Sequence, residues 1–460
     1  TNVIIGLCIL MYLVCMINPN ITYLLANSRL YVQNGEWYRL LTCTLIHDGI
    51  IHLLCNMYSL YIVGTQLENV IGKLKFKRNT KISNAQLQKG ILNLNATQNF
   101  SAINYSFEKM QGGEKLILQL KENENNTFLK FGLHYDDLFK SGILLNYTKK
   151  RLLAKNDVAS LDLILGDNIR YNFDYYIDNG FYWSFGFNSK LTTFNRNITS
   201  NIADDVVFNT TANAINVDFF DLSNQAYLQT IFAQKFSLGG GLEFKFLRLE
   251  SETLENTKPV FEDSNYLSVF GFMKYDSFDK KYFSRTGWNF NSEIRYYGYS
   301  SDYKNNFERF TVAKADFGFA QPVFKNMTFK FQTEGGFAVG ERSISYFDFI
   351  LGGYGFQQVN NIKPFFGYDF LSIAGDSYVK LLLTADYEVF KKHHLNFSAN
   401  FANIGNKIFD TIDTWLVKPN YSGYSLGYGM ETVIGPVEIK HSWSPETRNH
   451  YTWFSVGFWF

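Results

Sequence analysis

Residues 126–460 repeat one pattern: a run of alternating apolar and polar side chains, then a break. Period-two alternation sends successive side chains to opposite faces of an extended strand. We expect sixteen such strands, near 127–134, 139–149, 157–166, 169–177, 181–194, 225–235, 239–250, 265–275, 286–299, 307–321, 326–339, 376–390, 393–403, 423–433, 436–444 and 450–460. In 376–390, Tyr378, Lys380, Leu382, Thr384, Asp386, Glu388 and Phe390 share one face, opposite Val379, Leu381, Leu383, Ala385, Tyr387 and Val389. In 326–339, Met327, Phe329, Phe331, Thr333, Gly335 and Phe337 lie opposite Lys330, Gln332 and Glu334.

Two folds accommodate such strands: a soluble β-sandwich, or a closed barrel with its apolar face in lipid. The last strand alone does not choose between them. Tyr451, Trp453, Ser455, Gly457 and Trp459 fall on one face, and Thr452, Phe454, Val456, Phe458 and Phe460 on the other. The connections do choose. With the C-terminus in the periplasm, the turns on that side are mostly short: 236–238, 322–325, 391–392 and Gly435, with 276–285 a longer exception. Those on the other side include 195–224, 251–264, 340–375 and 404–422. An even strand count with short turns inside and long loops outside is the pattern of an outer-membrane barrel. The 45 Phe, 30 Tyr and 7 Trp suit its interface girdles. The last strand then closes the barrel with its Phe face in lipid, and pairs with 127–134 across the weakest join in the wall.

The first 72 residues are of another kind. Cys8, Cys15, Cys43 and Cys55 all lie there, and the rest of the chain has no cysteine. Val3–Ile17 is an apolar run, slightly short for a span, stopped by Pro19; Ile50–Ile71 is a second candidate membrane helix. His52 and Asn56 are four apart on that helix, with His47 just before it. Two such polar groups could donate to an oxyanion or simply hydrogen-bond between helices. No complete secretion signal precedes the first run, so we expect a longer natural N-terminus. Ser83–Leu94 reads as an amphipathic helix capped by Ser83, followed by strands at Phe100–Glu108 and Leu116–Glu122.

The net charge of +1 gives no reason to expect a nucleic-acid partner. No GxSxG, HExxH or phosphate-binding glycine loop occurs in the barrel segment, and we assign no catalytic residue, metal or cofactor. His393–His394 reads as a solvated turn, Asp276, Asp279 and Asp302 as a weak calcium candidate, and His441–Ser442 as too isolated for a hydrolase.

Two resemblances extend this reading. Gly35–Glu68 (GEWYRLLTCTLIHDGIIHLLCNMYSLYIVGTQLE) resembles the rhomboid intramembrane serine proteases, which implies that His52 and Asn56 match residues of the oxyanion hole. That family's GxSG serine and later histidine have no counterpart here, so the fragment is expected to be proteolytically inactive. The change of character inside KLKFKRN (Lys73–Asn79) suggests a chimera.

Residues 80–460 resemble the Omp85 superfamily, and within it the barrels of Bacteroidetes patatin-like phospholipases. YDSFDKKYFSRTGWNF (Tyr275–Phe290) is similar to the segment before a middle strand, and LGGYGFQQVNNIKPFFGYDF (Leu351–Phe370) to the sixth extracellular loop, which folds into the lumen. GYGMETVIGPVEIKHSWSP (Gly427–Pro445) is similar to the penultimate hairpin. The resemblance implies a loop-six motif of Gly352, Gly353, Lys363, Phe366, Gly367 and Tyr368, and a terminal assembly signal that includes Phe454, Gly457, Phe458 and Phe460. Where transport and insertion members carry Arg-Gly-Phe/Tyr, this chain has Phe366-Gly367-Tyr368; Lys363 is the nearest cation, and the departure weighs against an insertase or secretion role.

The expected architecture is an all-β membrane protein, a 16-stranded antiparallel transmembrane β-barrel at 126–460, with a helical fragment at 1–72 and a partial α+β POTRA module at 73–125. The resemblance implies an outer-membrane barrel that anchors or translocates a lipase domain absent from this sequence. A rhomboid peptidase fragment and a translocation or assembly pore are the alternatives. Implied partners are membrane lipid, the barrel-assembly machinery and that lipase domain, with a second copy of the chain a further candidate. The helical fragment would belong to an inner membrane.

Overall fold

The computed structural model describes residues 2–47, 49–58, 82–96, 99–110, 113–154, 156–179, 183–199, 214–232, 235–251, 260–302, 305, 307–340, 347–354, 361–410, 415 and 418–457. Two compact units divide the chain, residues 1–126 with 179–183, and the remainder.

In the first unit, α1 (Asn2–Ile17) is followed by α2 (Asn20–Leu25), α3 (Arg29–Gln33) and α4 (Arg39–Thr42), and then by helical backbone at 50–58. Arg39 ties these short helices together: its guanidinium donates to the Tyr23 and Ala26 carbonyls (2.6 and 3.0 Å) and to Glu36 (2.6 Å). Among the described residues no helix is long and apolar enough to cross a membrane. The rest of the expected second membrane helix, and the KLKFKRN string, lie outside the described residues. A helix at Asn84–Ala96 begins with a reciprocal cap, Gln86 N–H donating to Ser83 Oγ (3.2 Å) and Ser83 N–H to Gln86 Oε1 (2.9 Å). It buries Leu87 and Leu94. β1 (Phe100–Met110) and β2 (Gly113–Glu122) form an antiparallel hairpin.

The second unit is a closed antiparallel barrel. Its first strands are β3 (Thr127–Asp136), β4 (Lys140–Lys150), β5 (Asp157–Gly166), β6 (Arg170–Ile177), β7 (Ser184–Thr199) and β8 (Ala214–Phe232). There follow β9 (Phe236–Glu250), β10 (Val260–Asp276), β11 (Gly287–Ser300), β12 (Phe310–Phe324) and β13 (Met327–Val339). A long connection holds three short strands, β14 (Phe349–Leu351), β15 (Ile362–Lys363) and β16 (Ile373–Gly375). The wall resumes with β17 (Ser377–Phe390), β18 (His393–Gly405), β19 (Tyr421–Thr432), β20 (Gly435–Trp443) and β21 (His450–Val456). The sixteen wall strands match the sixteen alternating runs one for one.

Alternation sorts the wall as its residues require. On β17 Tyr378, Lys380 and Asp386 are buried while Tyr387 is exposed; on β21 Trp453 and Ser455 are buried while Phe454 is exposed. The interior is polar, so its charges must be paired. Lys245 bonds Asp221 (2.7 Å), Arg295 and Lys314 meet Glu293 (3.1 and 3.4 Å), and Lys330 meets Asp386 (3.7 Å).

Two expectations need correction. The loops at 195–224 and 251–264 are partly strand: β7 runs to Thr199, paired with Ala214 at the start of β8, and β10 begins at Val260. The Asn- and Asp-rich sequence there suggests turns. Instead, Asn195 bonds Asn216 and Asp218 across an exposed face while Val217 and Phe219 are buried on the other. His393 and His394 open β18 rather than forming a solvated turn. The His394 ring is buried, stacked 4.2 Å from Phe283, with Asp386 at 3.2 Å and Glu431 at 3.4 Å. The closing strand lies beside β3 as expected; among the described residues the two share one register pair, Val456 with Tyr135, and residues 458–460 of the expected pairing lie outside the described residues.

Candidate functional site

The connection between β13 and β17 is folded into a small sheet of its own. β14 pairs in parallel with β15 and antiparallel with β16, and Phe347, Phe349, Leu351 and Phe365 are almost wholly buried. Two glycines lock the base of this loop, Gly352 N–H donating to the Lys363 carbonyl (3.1 Å) and Gly353 N–H to that of Tyr368 (3.0 Å).

The loop meets the wall along a wide arc. Lys363 sits 3.2 Å from Glu334 of β13, which also receives Lys380 of β17 at 2.7 Å; Lys380 in turn donates to the Pro364 carbonyl (3.1 Å). Phe366 N–H donates to Asn400 Oδ1 of β18 (2.7 Å). Gly367 has φ +84, and a Cβ there would stand 2.5 Å from the Trp443 carbonyl oxygen of β20, so only glycine lets the tip lie this close to the wall. Lys440 of β20 lies over the Tyr354 and Phe366 rings (5.1 and 5.3 Å), and Tyr354 donates to Glu438. Tyr368 receives a hydrogen bond from Ser444 (3.2 Å) and donates to Glu446 (3.4 Å). Burial, with Glu446 beside it and against the Ser444 bond, pushes the Tyr368 hydroxyl up to about 12.

The loop-six residues singled out in sequence thus converge on β13 and β17–β20. Phe366, where an arginine was sought, accepts a wall cation onto its ring instead, and the loop's own cation, Lys363, reaches a wall carboxylate. Arg196 had no signal in the sequence. It stands on β7, donates to the Asp137 carbonyl (2.6 Å), pairs with Asp369 of the loop (3.0 Å) and lies 4.5 Å over the Phe370 ring.

Among the described residues the seam beside this loop differs from the other joins: the β20–β21 ladder runs from Val437–Val456 to Trp443–His450, whereas β21 and β3 meet at one pair. Gly457 has φ +101, and a Cβ there would lie 1.8 Å from the Leu133 carbonyl oxygen, so it is the residue that allows β21 to approach β3. The Phe454 and Tyr135 rings touch across the seam, 5.9 Å between centroids. Phe458 and Phe460 lie outside the described residues.

The remaining candidates are dispersed. His52 and Asn56 are both exposed, and the His52 ring meets His47 edge-on at 5.3 Å. The aspartates staple turns: Asp276 accepts Phe278 N–H (2.9 Å), Asp279 accepts those of Arg285 and Thr286 (2.9 and 3.2 Å), and Asp302 accepts that of Phe307. His441 is exposed and Ser442 buried, on opposite faces of β20. The Asp276–Gly287 turn reaches across to β17 and β19, with Lys280 on Glu431 (2.9 Å), Arg285 on Glu388 (3.3 Å) and Phe283 buried against His394.

A closed sixteen-stranded wall with an inward-folded loop before its twelfth strand now has a match: residues 114–460 fit the OMP85 superfamily. The chain belongs to the OMP85 superfamily. Among solved structures, BamA from Haemophilus ducreyi lacking POTRA domains 1–3 is 13% identical with a TM-score of 0.59, covering 85% of this chain and 81% of that one. CdiB from Acinetobacter baumannii is 13% identical with a TM-score of 0.51 (85% and 70%) and CdiB from Escherichia coli 10% identical with a TM-score of 0.55 (84% and 73%). At these identities the likeness is one of fold. An OMP85 barrel of this type is an outer-membrane protein, with lipid against its outer face. Residues 34–88 fit the rhomboid domain. The putative rhomboid protease YdcA of Bacillus subtilis is 47% identical over 45 residues, 10% of this chain and 23% of that protein. RHOMBOID-like protein 5 of Arabidopsis thaliana is 39% identical over 57 residues, 12% and 18%. The chain spans less than a quarter of the length of these curated relatives.

Proposed function

We propose that this barrel translocates or inserts polypeptide at the outer membrane, and that the passenger leaves through the β3–β21 seam. The observation that carries the reading is the β3–β21 join, where the described residues share one register pair, Val456 with Tyr135. In hydrocarbon an unpaired backbone group costs several kcal/mol, so a wall parts where the fewest ladder bonds must break. The fold likeness to BamA and to CdiB supports the transport and assembly class. Although Phe366 stands at the arginine position, the loop still has a cation on the wall, Lys363 on Glu334.

The finer form of the proposal takes the passenger to be a patatin-type lipase domain carried ahead of the barrel; it rests on the resemblance of residues 80–460. On that reading the hairpin at 100–122 with its preceding helix is the end of a POTRA module that hands the passenger on. The rhomboid-like residues 1–72 form no peptidase, and we propose that they were joined to the barrel in a chimera. A sequencing read across the codons for residues 60–90 in source DNA tests the chimera; an uninterrupted native read overturns it.

The test of seam use is a reversible lock. Antiparallel partners lie within disulfide reach, so Tyr135→Cys with Val456→Cys will bridge the seam once the four native cysteines are changed to serine. In liposomes loaded with a polypeptide cargo, the oxidised barrel should fail to insert or release it, and reduction should restore it. Equal activity when oxidised overturns seam use; no activity in either state favours the barrel as an anchor.

A further inference from the structure

We infer that Arg196 is a positioning residue that latches the β3–β21 seam to the lumen loop. The inference rests on the reading that the seam opens. One guanidinium holds both sides of the join. Toward β3, Arg196 Nη1 donates to the carbonyl of Asp137, in the turn that follows β3 (2.6 Å). That same Asp137 reaches over the seam, its carboxylate accepting the Phe454 N–H of β21 (3.3 Å). Toward the loop, Arg196 Nη2 pairs with Asp369 (3.0 Å) and its plane covers Phe370 (4.5 Å). Phe370 packs edge-on against Trp453 of β21 (5.0 Å), and the indole N–H is fixed by Ser442 (2.9 Å).

The chain of contacts therefore runs from the β3 turn through Arg196 to the loop and on to β21, and closes through Asp137. It supplies side-chain links at the join where the described residues share one ladder pair. The geometry needs arginine: two donors in a rigid fork serve a carbonyl and a carboxylate, while the flat face stacks on an aromatic ring. Lysine has a single charged point and cannot serve all three. A lumen loop displaced by cargo withdraws Asp369 and Phe370 together, and Arg196 loses two of its three contacts in one step. Displacement of the loop is thereby coupled to release of the seam.

The test uses the full chain in detergent or bilayer and reads hydrogen exchange of peptides covering residues 450–456. Arg196→Ala should speed exchange there at least tenfold, Arg196→Lys should fail to restore protection, and peptides from β11 and β12 should be unchanged. Should Arg196→Ala not assemble, Asp369→Asn provides the second arm, with a smaller rise at the same peptides. Unchanged exchange at 450–456, an equal rise across the wall, or full rescue by lysine overturns the latch. The readout needs no transport activity. Exchange that responds in a barrel indifferent to the disulfide lock leaves the latch standing and sinks exit through the seam; the converse sinks the latch alone.

Discussion

Gly423→Ala should undock the tip of the lumen loop while leaving the hairpin ladders of the wall intact. Gly423 lies on β19 beneath the loop tip, and an added Cβ would stand 1.8 Å from the Phe366 carbonyl oxygen and 2.8 Å from Asn400 Nδ2. Ordinary nonbonded contact begins at about 3.5 Å, so the tip must retreat by roughly 1.5–2 Å. That breaks the 2.7 Å bond from Phe366 N–H to Asn400, a buried side chain. A buried polar group left unsatisfied costs about 1–3 kcal/mol, and losing the Lys440 contact with the Phe366 ring about 0.5–1 more. The total of about 1.5–4 kcal/mol lowers the docked-to-undocked ratio roughly 10- to 1,000-fold. Chymotrypsin reads this directly, because Phe365, Phe366 and Tyr368 are buried when the loop is docked and cleavage follows the open population. Cleavage between 365 and 368 should accelerate by at least tenfold in the variant. Gly271→Ala is the control, since a Cβ there meets nothing closer than 3.8 Å. If Gly423→Ala is cut no faster than Gly271→Ala, the close approach of tip and wall is wrong.

Three further outcomes follow from the same geometry. Glu334→Gln leaves Lys363 and Lys380 without their shared carboxylate; breaking a buried pair in this way costs about 3–5 kcal/mol, and the temperature at which the barrel loses its compact gel migration should fall, with partial recovery on adding Lys363→Met. The Tyr368 hydroxyl is raised to about 12 from an ordinary 10, so its neutral form is favoured by folding: loop docking should hold below pH 10 and weaken as pH rises through 12, and Tyr368→Phe should abolish that step in a tyrosinate absorbance titration. Gly457→Ala forces a Cβ to within 1.8 Å of the Leu133 carbonyl at a φ of +101, so the Tyr135–Val456 cysteine pair should cross-link at least tenfold more slowly in that background; an unchanged rate rules out the close approach at the seam.

The wall was legible because lipid outside and charge inside force each strand to alternate, and that period is written locally. Lys380 and Val379 announce their faces without reference to any other strand. The hairpin of β7 and β8 was not legible in full. Beyond the bilayer Asn195 and Asp218 can line an exposed strand face as well as they can a turn, so composition no longer separates the two. His394 misled for the converse reason: beside His393 and two lysines it reads as solvent-facing, yet the distant Phe283 covers it. The loop-six residues were found through resemblance, but their partners were not. Arg196 and Asp369 are 173 residues apart, and no periodicity connects them. Contacts across a lumen are set by closure of the barrel, which is a global property of the strand order.

Closure also explains why the seam and the loop belong together. Consecutive strands of the wall are joined by turns, and their ladders form with a short search. β21 must find β3 across the whole length of the barrel, and no turn fixes its register. Among the described residues the join has one register pair, Val456–Tyr135, where the other joins have ladders of seven or more. Position is set instead by individual features: Gly457 against Leu133, the Phe454 ring on Tyr135, and Asp137 on the Phe454 N–H. Backbone ladders part only by exposing many polar groups to lipid, whereas side-chain contacts of this kind can be lost a few at a time. A join built from them can open at a cost the folded wall survives, and the loop that touches both Arg196 and Trp453 is placed to choose when.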